Sequence, residues 1–179
     1  MKHLEIRRHT MRHKPGKHLT QAGVTLARHV GAGMGPFARV VTSDVPRAFE
    51  TAIAMGFAVD EQLPELAALE DEAVTALLEN VHTFADVAQV ARRHQAVARR
   101  ARKLARLWAA IAEALPEEGT ALIVTHGGVI ELGVAGCLPD HDFSAWGALC
   151  DYCEGVRLGF DGRAFISAEP LRVVKVEGS

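Results

Sequence analysis

Three short stretches of this sequence hold residues able to manage a doubly charged anion: Arg8-His9, Ser43-Asp44 with Arg47 one helical turn on, and His126-Gly127-Gly128. A neutral imidazole is a competent nucleophile near pH 7. Guanidinium groups bind phosphate oxygens in a bidentate fork. A helix N-terminus adds positive potential, and paired glycines let the backbone approach a ligand closely. Two histidines and two arginines gathered on one rim would therefore suit a phosphate dianion. Everything depends on whether the chain brings them together.

The positioning elements can be read from periodicity. Residues 3–8 read as a strand with Leu4 and Ile6 on one face, delivering Arg8 and His9 at its carboxyl end. Residues 19–30 read as a helix ended by Gly31, Gly33, Gly35 and Pro36. A compact apolar run at 38–42 predicts a buried strand. Ser43 and Asp44 are good helix N-cap residues after it, and Pro46 suits the first turn of a helix running to about residue 55. A long helical region follows, broken near 80–83. Its second half carries Val87, Val90, His94, Val97, Ala101, Leu104, Trp108, Ile111 and Leu115 at alternating three- and four-residue spacing. That stripe predicts one continuous helix with His94 as a packing residue. Residues 121–125 read as a central strand, with a short helix after Gly128. Residues 156–160 and 164–166 read as a hairpin turning at Asp161-Gly162. The order predicts an α/β fold, a three-layer sandwich of a mostly parallel central sheet with helices on both faces. In such sheets ligands bind beyond the carboxyl ends of the strands, where these residues emerge.

In order and wording these segments resemble the histidine phosphatase superfamily, which includes the phosphoglycerate mutase-like enzymes. The family's opening R-H-G is Arg8-His9-Thr10 here, and its L-T-x-x-G is Leu19-Thr20-Gln21-Ala22-Gly23. Its T-S-D-x-x-R-A-x-x-T-A is matched in full from Thr42 to Ala52, and its V-T-H-G-G from Val124 to Gly128. Each block recurs by chance; all four in the family's order are specific. The resemblance implies that His9 takes up the phosphoryl group, while Arg8, Arg47 and His126 hold its oxygens. It also implies a helical lid insertion over about 63–116 within a single domain spanning 1–179. The implied activity is a phosphomonoesterase working through a phosphohistidine on a small phosphorylated metabolite, without cofactor or metal. Phosphoryl transfer needs mainly in-line positioning and electrostatic stabilisation, which these residue types supply.

A proton must also reach the leaving oxygen. The family places that acid in L-x-E, and Leu63-Pro64-Glu65 makes Glu65 the candidate. The glycines and tryptophan that usually follow are absent, so Glu70, Asp71 and Glu72 stay open as alternatives. Thr10 replaces the family's glycine and is expected to crowd the nucleophile. Arg12 nearly fits the R-H-G-x-R-x-P wording of the acid phosphatase branch, which makes it a further phosphate ligand candidate.

Other readings compete for some of these residues. A Glu after Leu-Pro also looks like a solvated helix start, and Arg47 alone would pass for a surface ion-pair partner. Cys137, His141, Cys150 and Cys153 offer four zinc-type ligands, but at irregular spacing. Seven cations and no acid lie within 92–106, which reads first as a solvated helix face and second as an attractor of anions. A nucleic-acid role for that face sits poorly with a net charge of -2. The apolar stripe also permits a homodimer seam. Three cysteines without paired spacing, no signal-like N-terminus and no uninterrupted apolar span point to a cytoplasmic protein without a membrane partner. No G-x-S-x-G elbow accompanies His126, which disfavours a serine hydrolase. A phosphohistidine or phosphoprotein phosphatase, and a catalytically idle phosphate binder, are the alternative functions.

Overall fold

The computed structural model describes residues 1–67 and 71–174. Strand β1 (Lys2–Arg8) leads to helix α1 (Gln21–Gly31), β2 (Arg39–Thr42) and α2 (Pro46–Ala54). After β3 (Glu61–Gln62) come α3 (Glu72–Leu78), α4 (Phe84–Arg93) and α5 (Gln95–Glu113). Strand β4 (Thr120–Thr125), α6 (Val129–Cys137) and the hairpin β5 (Gly155–Phe160) and β6 (Phe165–Leu171) complete the order.

The strands form one sheet in the order β3-β2-β4-β1-β5-β6. The first four run parallel, β5 lies antiparallel to β1, and β6 antiparallel to β5. Alternation along β4 assigns the layers. Ala121 and Ile123 join a core with Trp108 of α5 and Ile130 of α6, while Leu122 and Val124 pack on Ala48 and Ala52 of α2. Helices therefore cover both faces, as the period-two pattern predicts. Because β1 and β2 flank β4, the segments after these three strands emerge side by side at one sheet end.

Two expectations need correction, and one element is new. The stripe from Val87 to Leu115 is two helices, not one. His94 between them is extended (φ −121°, ψ 113°) and exposed rather than packed. No glycine or proline marks the break, and the apolar spacing passes through it in register, so periodicity alone could not reveal it. Ser43 and Asp44 do not cap α2; its N-cap is Val45, without a side-chain cap bond. The two-residue β3 was not expected, being too short to show alternation.

The motif glycines have local causes. In L-T-x-x-G, Thr20 caps α1 by accepting from the Gly23 N–H. A Cβ on Gly23 would sit 2.3 Å from the Met11 carbonyl oxygen, so α1 can pack against the 9–11 loop only with glycine there. Gly128 opens α6 at φ +85°, a conformation open to glycine at no steric cost.

Candidate active site

His9 follows β1 directly, and its N–H bonds to the Thr125 carbonyl across the β1–β4 pair. His126 follows β4, and the two imidazole centroids lie 5.2 Å apart. From the far side of β4, Arg47 in the first turn of α2 donates from Nε to His9 Nε2 at 3.1 Å. Arg8, Arg47, His9 and His126 thus meet in one place.

Local bonds set each ring. His9 Nδ1 lies 2.7 Å from its neighbour's carbonyl, Thr10 O, so Nδ1 carries the proton and donates. Nε2 is left with its lone pair toward Arg47. Burial is the main cause that pushes the His9 pKa down to about 4; Arg47, Arg8 and Arg12 add to it, and the Thr10 bond opposes them. Burial, then His9 and the arginines, take His126 to about 3. Both rings are neutral at pH 7.

Ser43, which the sequence suggested as a helix cap, has another partner. Its Oγ is 2.8 Å from His126 Nε2 and accepts from the Val45 N–H at 3.4 Å. With the hydroxyl proton donated to Nε2, the ring proton sits on His126 Nδ1. That Nδ1 is buried and has no partner among the described residues, and the same holds for Arg8 Nε. Buried polar atoms without partners are rare, and two in one small region mark a place where a ligand acceptor belongs.

Arg8 is held from the other side. Its Nη1 donates to the Cys150 carbonyl at 2.8 Å, and its guanidinium lies 4.8 Å from the Tyr152 ring centroid. The Tyr152 ring in turn is 6.1 Å from that of His9. Glu131, only 1% exposed, accepts from the Gly128 N–H with Oε2 and the Cys150 N–H with Oε1. Sequence reasoning singled out neither Tyr152 nor Glu131. Tyr152 belongs to no motif, and in the sequence Glu131 is only a charge within an apolar run.

The remaining candidates are less central. Thr10 is fully buried, and its hydroxyl donates to the Gly23 carbonyl at 3.0 Å. It braces α1 instead of crowding His9, contrary to the expectation. Arg12 donates to the His13 and Gly16 carbonyls of its own loop, so it influences His9 by charge rather than by contact. Glu65 is exposed in a 3₁₀ turn, and its carboxylate has no partner among the described residues. Asp71 is occupied as the N-cap of α3, accepting from Ala73 and Val74, while Glu72 is exposed. Glu70 lies outside the described residues.

The rival sites gain little. Among the described residues no cluster of metal-ligating side chains occurs. Burial pushes the Cys153 thiol up to about 11 and the Cys137 and Cys150 thiols above the usual range, so none is a poised nucleophile. Of the cations in 92–106, Arg92 donates to the Pro139 and His141 carbonyls and Arg100 to that of Glu65. Among the described residues no helix is long and apolar enough to cross a membrane.

A sheet end bearing two neutral imidazoles and two guanidiniums at the carboxyl termini of parallel strands defines an anion-handling α/β protein. Comparison with known families makes this specific. A profile of the histidine phosphatase superfamily (branch 1) matches residues 5–169, and the chain belongs to that family. Its fold is that of solved phosphoglycerate mutase-like structures. A phosphoserine phosphatase from Entamoeba histolytica, crystallised with 3-phosphoglyceric acid, is 16% identical with a TM-score of 0.65, over 97% of this chain and 98% of that one. The phosphoglycerate mutase of Bacillus anthracis is 16% identical with a TM-score of 0.67, over 94% and 92%. A mycobacterial glucosyl-3-phosphoglycerate phosphatase with bound VO3 is 20% identical with a TM-score of 0.60, over 89% and 93%. No curated protein matches the chain in sequence.

Proposed function

We propose that this protein is a phosphomonoesterase that acts on a small phosphorylated metabolite through a phosphohistidine on His9. Family membership supports an enzyme of the phosphatase or mutase kind. The observation that supports phosphoryl transfer to His9 is the pairing of a neutral His9, with its Nε2 lone pair free, and two buried unpartnered nitrogens, Arg8 Nε and His126 Nδ1. A phosphoryl group seated there would receive bonds from Arg8 Nε and His126 Nδ1. It would take Arg47 from His9 as its own charge partner.

In the first step the His9 Nε2–phosphorus bond forms as the bond to the ester oxygen breaks, and a carboxylic acid protonates the departing alcohol. Water then attacks phosphorus and returns a proton to that carboxylate. The nitrogen–phosphorus bond breaks, and inorganic phosphate leaves. Glu65 is the acid we assign. Its turn is tied to the site because the adjacent Leu66 carbonyl accepts from Thr125 Oγ1, next to His126. Arg100 secures the same turn from α5, which supports the 63–116 segment as a wall or lid beside the pocket.

The test is hydrolysis of p-nitrophenyl phosphate by wild type and His9→Ala, with mass spectrometry of the acid-sensitive phosphopeptide after rapid quench. Turnover with phosphate on the His9 peptide is the expected result. Full activity in purified His9→Ala removes the mechanism. Phosphate binding without turnover in wild type would make the protein an idle binder.

A further inference from the structure

Glu131 lies in α6, three residues past the glycine that opens the helix, and it is 1% exposed. Its Oε2 bond to the Gly128 N–H is by itself an ordinary helix-capping contact. Two features go beyond capping. Caps work at solvent-exposed helix ends, whereas this carboxylate is buried, which is costly for a charge. The second oxygen also reaches out of the helix: Oε1 accepts from the Cys150 N–H at 2.8 Å, 19 residues along the chain. The carbonyl of that same Cys150 is the acceptor for Arg8 Nη1. One side chain therefore joins the turn after His126 to the peptide that seats Arg8. Arg8 Nε and His126 Nδ1 are the two buried nitrogens of the cradle that have no partner among the described residues.

We propose that Glu131 is a positioning residue for phosphoryl transfer, and that its two bonds set the spacing of the Arg8 and His126 nitrogens against the phosphoryl oxygens of the transition state. The proposal rests on the phosphatase reading and adds a residue to that same site. Both Glu131 oxygens are turned to backbone N–H groups, so it acts through the Gly128 turn and the Cys150 peptide. Spacing matters most in the transition state, where charge spreads over three equatorial oxygens. A displacement of about 1 Å there can cost about a hundredfold in rate. A carboxylate accepts at both oxygens, whereas a Gln amide offers one acceptor and turns its NH2 against the other N–H. Charge works the other way. A negative group near an anion cradle opposes anion binding, so neutralising it should not loosen phosphate. Loss of geometry and loss of charge thus move turnover and phosphate affinity in different directions.

The test compares Glu131→Gln and Glu131→Asp with Leu115→Ala. Aspartate keeps the charge but is too short to hold both N–H groups. Leu115, a core residue between α5 and the amino end of β4, controls for stability alone. Kinetics on p-nitrophenyl phosphate are paired with titration calorimetry using inorganic phosphate and orthovanadate, a mimic of the five-coordinate transition state, at a temperature where each protein is folded. Both Glu131 variants should lose about ten- to a hundredfold in kcat and a similar factor in vanadate affinity. Phosphate affinity should stay within about threefold in Glu131→Asp and be unchanged or tighter in Glu131→Gln. Leu115→Ala should lower the melting temperature with kcat and vanadate affinity intact. Wild-type kcat and vanadate affinity in either Glu131 variant would overturn the proposal. So would an equal loss of phosphate and vanadate binding, which marks a collapsed cradle rather than a misplaced one. A wild-type protein without turnover would remove the hydrolytic reading. A vanadate-over-phosphate preference that Glu131→Gln erases would still keep the Glu131 assignment, and its persistence would remove that too.

Discussion

The acid titration of His9 is the sharpest quantitative consequence of the site. An ordinary imidazole, with a pKa near 6.5, would be only about 3% neutral at pH 5, whereas one held at about 4 stays about 90% neutral. The two cases differ about thirtyfold in the fraction of competent nucleophile. Burial is the main cause, so the effect should persist in high salt, where an effect of exposed charges would fade. The direct assay is an NMR pH titration of the imidazole protons in phosphate-free protein, with His9→Ala assigning the signal. The His9 resonance should titrate near pH 4. In kcat/KM, which reports the free enzyme, the limb due to His9 should appear near the same pH after correction for the substrate's own ionisation near 6. A stability slope accompanies it. Between about 6.5 and about 4 the unfolded chain takes up a proton that the folded chain refuses, so stability falls as pH falls through that window. The ceiling for His9 is about 3 kcal/mol, and His9→Ala should flatten the slope. A His9 resonance titrating at 6.5 would refute the reasoning, because the ring would then be solvated and not enclosed by the cradle.

Other substitutions probe separate links. Ser43→Ala removes the hydroxyl bonded to His126 Nε2 and should lower kcat about tenfold with little change in melting temperature, read by steady-state kinetics and calorimetry. Arg47→Ala should cost about a hundred- to a thousandfold in turnover, since it removes one preorganised cation of the cradle. Thr10→Ala should leave kcat nearly unchanged but lower stability by about 1–2 kcal/mol in urea unfolding, because the Gly23 carbonyl loses its buried donor. Gly128→Ala forces a Cβ into a left-handed conformation and should cost about 1–2 kcal/mol in the same assay, with reduced activity as the His126 turn shifts.

Much of this was legible in the chain itself. Strand alternation in β1 and β4 and the apolar stripe of α5 dictate which faces are buried, so the layer order follows from spacing. The four anion-handling side chains were legible because Arg8, His9 and His126 stand at the carboxyl ends of strands, and Arg47 opens the helix that follows one, where backbone direction alone brings them out. What stayed hidden depends on contacts between distant segments. Tyr152 reaches His9 because β5 pairs antiparallel with β1, a pairing the sequence does not specify. Ser43 has the residue type and position of a cap, and only the location of His126 decides its partner. The break at His94 carries no local signal, since the packing stripe continues in phase across it.

Cys150 is grasped at both polar ends of its backbone, by the Glu131 carboxylate at its N–H and by the Arg8 guanidinium at its carbonyl. The same carboxylate holds the turn that aims His126. The strand-entry loop is therefore welded to both halves of the anion cradle. Evolutionary or engineered changes to that loop will shift Arg8 and the His126 turn together, so the two should drift as a linked pair across variants.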